Sequence, residues 1–234
     1  MNGTTLVCLG FAGSGSSFFH PWRAVAPDGL SILAPQLPGR EWRVDEEPPE
    51  DVDAAVEVLL PEIVAACTGE RVALFGQCFG AILAFELALR LSTMDEVRLA
   101  HLFPSGSLAP WAPRPQWATG VEDDELVRRL REDIGYEHEA LDYPELRAVL
   151  VPVLRADMES HEKYVAPPGA ALDVPITALR GRHDPVVSAV EAAEWAKATT
   201  GAFDLAEFDG THMYLIDEAK PLLSLIADAV GAHP

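Results

Sequence analysis

The stretch ALFGQCFGAILAFELA, residues 73–88, decides the fold. It begins as a short apolar run typical of a β-strand, passes through a turn enclosed by Gly76 and Gly80, and continues as an apolar helix. Because glycine has no Cβ atom, two glycines at this spacing let a strand and a helix pass closely on either side of a sharp turn. The pattern predicts a strand–turn–helix unit with Cys78 at the tip of the turn.

On both sides of this unit, strand and helix patterns alternate along the chain. Apolar, β-rich runs occur at 6–9, 31–34, 71–75, 97–103, 175–180 and 203–208. Helical patterns occur at 50–66, 81–91, 188–199 and 218–230. This alternation predicts an α/β fold, with a mostly parallel sheet covered by helices on both faces.

One region departs from the alternation. Residues 104–120 are rich in proline and are not expected to continue a sheet. Two helical patterns follow, at 122–134 and 144–164, with no strand between them, and we expect Pro152 to kink the second. We therefore expect a single domain over residues 1–234 with a helical lid insertion at about 110–165; the alternative is an ordinary packing excursion.

Composition narrows the class of protein. The chain has 234 residues, is 49% hydrophobic and carries a net charge of -20. A domain this acidic is expected to repel nucleic acid and anionic membranes, and no apolar run approaches the ~18 residues that span a bilayer. The N-terminus lacks a signal-peptide pattern, and three separated cysteines form neither a disulfide framework nor a metal site. We expect a cytoplasmic monomer in which Cys8 and Cys67 are structural.

Polar residues follow three of the predicted strands. Cys78 follows 71–75, Asp184 follows 175–180 and His212 follows 203–208. Reactive groups gather at the carboxyl ends of parallel strands, and the chain order nucleophile, acid, histidine is that of the α/β-hydrolase triad. His212 would take the thiol proton while Asp184 holds the imidazole, and the N-terminus of the following helix favours the thiolate of Cys78.

Alternatives remain for each member of this triad. Cys78 could instead be a small hydrophobic residue buried in the core. Asp184 could instead only form the turn that precedes Pro185. Asp209, on the same loop as His212, is a second candidate for the acid, and His183 is a second candidate for the base. The other histidines, expected at the surface or in packing, are His20, His101, His138, His161 and His233.

An oxyanion hole requires two backbone N–H groups. Phe79, directly after Cys78, supplies one, and the glycine-rich loop at 10–15 after the first strand is expected to supply the other. The same loop resembles a nucleotide-binding fingerprint only weakly, because residues 13–18 lack both a third glycine and a Lys-Ser/Thr pair.

Seven segments in order resemble a type II thioesterase, the stand-alone α/β-hydrolase that serves polyketide and nonribosomal peptide synthetases. They are LVCLGFAGSGSSFFHPW, LAPQLPGREWR, ALFGQCFGAILAFELA, LFPSGSLAP with DDELVRRL, LVPVLRADMESHEKY, PITALRGRHDPVVS and FDGTHMYL. The resemblance implies hydrolysis of stalled or wrong acyl groups held on the phosphopantetheine of an acyl or peptidyl carrier protein. It also implies a small acyl substrate, no metal and no bound cofactor.

The resemblance also implies residue roles. It places the catalytic triad at Cys78, Asp184 and His212, and the oxyanion donors at Ala12 and Phe79. The expected substrate contacts are Phe11, Gln77 and Met213, in an apolar acyl chamber that includes Trp111. A basic cluster at 128–131 is a candidate for docking an acidic carrier protein, with a solvated helix face as the alternative.

The chain departs from the family at the turn itself. Gln77-Cys78 stands where the family commonly has His-Ser, and Gly10-Phe11 where it commonly has proline and an aromatic residue or histidine. Attack by serine on a thioester gives an oxygen ester, whereas attack by cysteine gives another thioester that keeps the acyl group activated. Three hypotheses follow: a hydrolytic editing enzyme, an acyltransferase or cyclase, and a non-catalytic module that binds carrier proteins.

Overall fold

The computed structural model describes residues 3–135 and 138–231, so His233 lies outside the described residues. One sheet contains six strands: β1 (Thr4–Leu9), β2 (Leu30–Leu33), β3 (Arg71–Gln77), β4 (Arg98–Ser105), β5 (Ile176–Gly181) and β6 (Phe203–Phe208). Their spatial order is β2-β1-β3-β4-β5-β6, and these neighbours pair in parallel. The predicted strands and the parallel sheet are confirmed.

The strands bury alternate residues on opposite faces of the sheet, as the two-residue period of a β-strand requires. On β1, Val7 and Leu9 belong to one hydrophobic cluster, whereas Leu6 and Cys8 belong to the other. Both clusters are closed to solvent, which explains why the strands read as continuous apolar runs rather than alternating ones.

Helices cover both faces. The α-helices are α1 (Trp22–Val25), α2 (Val52–Cys67), α3 (Phe79–Leu91), α4 (Asp123–Arg129), α5 (Pro144–Lys163), α6 (Ala189–Ala193) and α7 (Ala219–Ala229). Short 3-10 segments lie at Ser16–Phe19, Glu41–Arg43, Glu139–Asp142, Glu194–Ala198 and Tyr214–Ile216. Helices α2 and α3 bury residues in the cluster of Val7, and α1 and α7 bury residues in the cluster of Leu6. The sheet is therefore enclosed on both sides.

Between β4 and β5, the described residues form helices and irregular segments, and none of the six strands lies there. Helix α4 continues as a π-helix over Leu130–Ile134, and α5 begins with Pro144 in its first turn and packs against α3. The expectation that 104–120 lies outside the sheet is wrong at its start, because β4 runs to Ser105 and Pro104 pairs opposite Gly76. Proline removes only its own N–H group, so it is accommodated at the end of a strand. The kink expected at Pro152 stays a prediction.

Candidate active site

The turn that carries Cys78 has a strained backbone. Cys78 has φ 55° and ψ -112°, a conformation that residues with a side chain rarely adopt. Its N–H donates to the carbonyl of Ser105 at 2.8 Å, which fixes the turn against β4. A Cβ atom on Gly76 would lie 2.0 Å from the carbonyl oxygen of Gly80, and one on Gly80 would lie 2.3 Å from that of Leu9. Both positions therefore require glycine.

Asp184 and His212 meet beside this turn. The Nδ1 atom of His212 lies 2.9 Å from Oδ2 of Asp184, and the two side chains are 3% and 0% exposed. The other carboxylate oxygen accepts from the N–H groups of Val186 at 2.7 Å and Val187 at 3.2 Å. Burial opposes ionisation, but the bond to His212 and these N–H groups lower the pKa of Asp184. A fixed carboxylate thus orients the imidazole.

The thiol of Cys78 completes the row. Cys78 is half-buried, and it lines the same cavity as His212. Burial lowers the pKa of His212, but hydrogen bonds and charges of Asp184 and Cys78 outweigh it and raise that pKa to about 10. Two partners thus favour the protonated form of His212.

The alternative acid and base lie elsewhere. The side chain of Asp209 is 80% exposed and faces the exposed ring of His183, with 4.0 Å between its Oδ1 and Nε2 of that ring. The Nδ1–H group of His212 donates to Asp184 instead. Geometry therefore favours Asp184 over Asp209, and His212 over His183, as the pair that contacts Cys78.

Gln77 does not line the cavity beside Cys78, which corrects the expectation that it contacts substrate. It is fully buried: its Nε2 donates to the carbonyl of His212 at 2.8 Å, and its Oε1 accepts from Ser105 at 2.6 Å. Ser105 in turn shares a hydrogen bond of 2.7 Å with the hydroxyl of Tyr214. Residue 77 points to the opposite side of the strand from the cavity and holds the loop of His212.

The loop after β1 brings Ala12 to the cavity. Ala12 lines it, and Phe79 is the first residue of α3, where backbone N–H groups have no intrahelical acceptor. The N–H of Gly13 donates to Oδ2 of Asp157 on α5 at 2.8 Å. Asp157 also forms a buried, two-pronged ion pair with Arg40, at 2.6 and 2.9 Å. The loop of the expected oxyanion donor is thus held by a helix of the insertion.

A cavity of about 90 Å³ lies over Cys78 and His212. Phe11 and Met213 line it, as the sequence predicts, whereas the tryptophan in its wall is Trp117 rather than Trp111. Its other apolar walls come from Leu108, Pro115, Leu130, Ile134, Leu154 and Met158. Four of these lie on the π-helical extension of α4 or on α5, so the insertion builds much of the cavity.

Two basic residues that the sequence does not predict as site residues also line the cavity. Arg114 lies in the proline-rich segment, and His161, expected at the surface or in packing, lies on α5 with its ring 6.1 Å from that of Phe79. Neither is near Cys78 along the chain, so no local pattern reveals them. The sequence offers one indication for Arg114, because a basic residue between two prolines is unusual in so acidic a chain.

Cys8 and Cys67 are buried, and burial raises the pKa of both thiols, that of Cys67 to about 11. Among residues 3–135 and 138–231, no cluster of three metal-binding side chains occurs, and no helix is both long and apolar enough to cross a bilayer.

The basic cluster at 128–131 is largely neutralised: Arg128 and Arg129 pair with Glu125, and Arg131 pairs with Asp142. These pairs favour a solvated helix face over a free positive patch.

Comparison with known proteins adds relatives of named function. Residues 4–230 match the family of thioesterase domains. Thioesterase PikA5 of Streptomyces venezuelae is 32% identical, over 95% of this chain and 79% of that protein. The gramicidin S biosynthesis protein GrsT of Aneurinibacillus migulanus is 30% identical, over 94% of this chain and 86% of that protein. The structure of the type II thioesterase BorB from the borrelidin biosynthetic cluster is 36% identical, with a TM-score of 0.85 and coverage of 97% of this chain and 91% of that one. This similarity and the sheet order confirm the predicted α/β-hydrolase fold.

Proposed function

Because the chain belongs to the thioesterase domain family, we propose that it hydrolyses acyl groups held as thioesters on the phosphopantetheine arm of a carrier protein. The family makes the chain a thioester hydrolase. The names of two relatives place them in gramicidin S and borrelidin biosynthesis, which supports a carrier protein of a polyketide or nonribosomal peptide synthetase as the partner. The proposed reaction uses no metal and no bound cofactor.

The row Cys78–His212–Asp184 is the observation that carries this proposal. The thiolate of Cys78 attacks the thioester carbonyl, and the carbonyl electron pair moves onto oxygen. The N–H groups of Ala12 and Phe79 bind that oxyanion. When the intermediate collapses, the pantetheine sulfur leaves and takes the proton of His212. The acyl group is then a thioester of Cys78, and His212 is neutral.

Water completes the cycle. Neutral His212 takes a proton from the attacking water while Asp184 stabilises the imidazolium that forms. The second tetrahedral intermediate expels Cys78 as a thiolate and releases the free acid. The enzyme returns to its starting state, with the proton again on His212.

A second candidate function is acyl transfer, which the thiol of Cys78 specifically favours. Exchange of one thioester for another is nearly thermoneutral, so the acyl group on Cys78 remains activated toward a thiol or amine. In this function an acceptor replaces water in the second half of the cycle, and His212 takes the acceptor's proton. The same residues serve both functions.

Acyl-loaded carrier protein, followed by mass spectrometry, tests both candidates. The wild type should release free acid and pass through an acyl-enzyme, whereas Cys78→Ala should do neither. Cys67→Ala is the matched control, because it removes a buried cysteine far from the cavity and should keep turnover. A Cys78→Ala protein that still turns over would refute Cys78 as nucleophile, and a wild type that never releases acid would refute hydrolysis.

The ratio of transferred product to free acid, with and without thiol and amine acceptors, separates hydrolysis from transfer. Cys78→Ser would form an oxygen ester, which transfers poorly. If transfer is the function, the serine variant should shift the ratio toward free acid or a stalled acyl-enzyme. If hydrolysis is the function, wild-type Cys78 should give only free acid with every acceptor, and the serine variant should hydrolyse at a comparable rate.

A further inference from the structure

Two side chains bring polar nitrogens to an otherwise largely apolar cavity. The Nε atom of Arg114 and the Nε2 atom of His161 are buried and have no hydrogen-bond partner among the described residues. Buried polar atoms in folded proteins are nearly always partnered, so an exception calls for a physical reason. Two exceptions in the wall of one cavity, beside Cys78, indicate a partner that enters from the cavity.

The charge of Arg114 is not neutralised. Its two terminal nitrogens donate to the carbonyls of Ala112 at 3.1 Å, Tyr164 at 3.0 Å and Ala109 at 3.3 Å. Within residues 3–135 and 138–231, no carboxylate lies at ion-pair distance from it. Its guanidinium is always charged and takes oxygen acceptors in a planar fork. The guanidinium also lies over the ring of Tyr164, 5.5 Å from its centroid. A cation whose partners are neutral carbonyls and an aromatic ring retains the capacity to bind a further oxygen.

Glu162, the carboxylate in the same cavity wall, is already committed. One of its oxygens accepts from the backbone N–H groups of Trp117 and Ala118, both at 2.6 Å. The other accepts from the N–H and the hydroxyl of Thr119, at 3.1 and 2.6 Å. Glu162 therefore fixes the loop of the cavity wall instead of neutralising Arg114. This contrast is marked in a chain of net charge -20.

His161 is a neutral group at this place. Burial, followed by the charges of Arg114 and His212, lowers the pKa of His161 well below its ordinary value. A neutral imidazole has one nitrogen that donates and one that accepts. In the tautomer that carries its proton on Nε2, it offers a donor to an oxygen next to the Arg114 cation without adding a second positive charge.

The size of the cavity limits the acyl group. A cavity of roughly 150 Å³ accommodates benzene, and this one measures about 90 Å³. An acyl group of only a few carbon and oxygen atoms fills it. An acyl group on Cys78 therefore enters the cavity whose walls contain Arg114 and His161.

We propose that the chamber selects short acyl groups that carry an oxygen acceptor, such as a 3-oxo or a 3-carboxylate oxygen, and that Arg114 and His161 bind that oxygen. The inference rests on the proposed thioesterase function and names its substrate class. A purely hydrocarbon acyl group would leave both nitrogens unpartnered in the occupied site. An oxygen-bearing group satisfies them, which is how polar sites reject apolar analogues.

Three carrier-bound thioesters of equal heavy-atom count test the proposal: 3-methylbutanoyl, 3-oxobutanoyl and malonyl. The wild type should hydrolyse at least one oxygen-bearing substrate with a kcat/KM about tenfold or more above that of 3-methylbutanoyl. If kcat/KM is higher for malonyl than for 3-oxobutanoyl, the selectivity comes from charge. If kcat/KM is equal for these two substrates, the selectivity comes from hydrogen bonding. Equal or faster hydrolysis of 3-methylbutanoyl than of both others overturns the proposal.

Variants separate recognition from the intrinsic reactivity of the substrates. Arg114→Met and His161→Phe should each reduce the ratio of oxygen-bearing to apolar kcat/KM by about tenfold, while Arg147→Met, at an exposed pair on α5, should leave the ratio unchanged. His161→Phe keeps the ring contact with Phe79, so it tests the idea even if Arg114→Met fails to fold. Unchanged ratios in folded variants overturn the inference alone, whereas no hydrolysis of any thioester by the wild type overturns the proposed function.

Discussion

Asp157→Asn should destabilise the protein because it removes a buried charge that three donors share. Asp157 and Arg40 are 3% and 6% exposed, and the carboxylate also accepts from the N–H of Gly13. Asparagine keeps the shape but offers one oxygen, and its NH₂ group would face the guanidinium. Breaking a buried pair by changing one partner costs about 3–5 kcal/mol, so we expect that loss in the free energy of unfolding.

Urea unfolding followed by circular dichroism measures this loss. Asp124→Asn is the matched control: Asp124 pairs with Arg147 but is 93% exposed, so the same substitution should cost less than about 1 kcal/mol. The double variant Arg40→Met/Asp157→Leu removes both charges and should be more stable than Asp157→Asn alone. An Asp157→Asn loss below about 1 kcal/mol would refute the idea that this pair is energetically buried.

The same variant should also slow turnover. The N–H of Gly13 follows Ala12 directly, so release of Gly13 from α5 disturbs the loop that carries the proposed oxyanion donor. Loss of one such donor costs about 10²–10³ in kcat, and a displaced donor should cost less. We expect kcat to fall by about tenfold or more while KM changes little, at temperatures where the variant is folded. A rise in KM at constant kcat would contradict this role for the contact.

Three further predictions concern the turn and its partners. Gly80→Ala should prevent folding or distort the turn, because its Cβ would meet the carbonyl of Leu9 at 2.3 Å; soluble expression with wild-type turnover would contradict this. Gln77→Ala should cost about 1–3 kcal/mol in the free energy of unfolding and lower kcat, since it releases the carbonyl of His212, and urea unfolding with kinetics measures both. Cys78→Ser should lower the pKa of His212 from its raised value of about 10, because the hydrogen bond and the charge of Cys78 both contribute to that value. Activity of the serine variant should then increase with pH through the new pKa of His212. An unchanged NMR titration of the His212 imidazole would contradict the coupling between the two residues.

Local sequence patterns were sufficient for the sheet and the turn. The central strands β1 and β3 are apolar because both faces of the sheet are covered there, and this signal needs only four to eight neighbouring residues. The turn at Cys78 follows from Gly76 and Gly80, since their hydrogens are the only substituents that fit. The pairing of Asp184 with His212 could be predicted because both follow neighbouring parallel strands.

Contacts of the insertion could not be predicted in this way. Asp157 and Gly13 are 144 positions apart, and nothing in the helical spacing of α5 indicates which residue faces the loop after β1. Arg114 reaches the cavity from an irregular segment and His161 from α5, and both are distant from Cys78 along the chain. The orientation of Gln77 also depends on a contact distant in sequence, because its side chain donates to the carbonyl of His212, 135 positions along the chain.

The charges around Cys78 explain why a thiol suits this turn. Three positive features lie near its sulfur: the N-terminus of α3, His212 with its raised pKa, and the Arg114 cation, whose charge interacts with Cys78. They stabilise the thiolate that attacks the substrate more than they stabilise a neutral serine hydroxyl. Once Cys78 is acylated, its sulfur carries no charge, and the acyl chain occupies the cavity beside Arg114. An oxygen on that chain would take over as the partner of Arg114, so the selectivity proposed above should appear in the lifetime of the acyl-enzyme as well as in its formation.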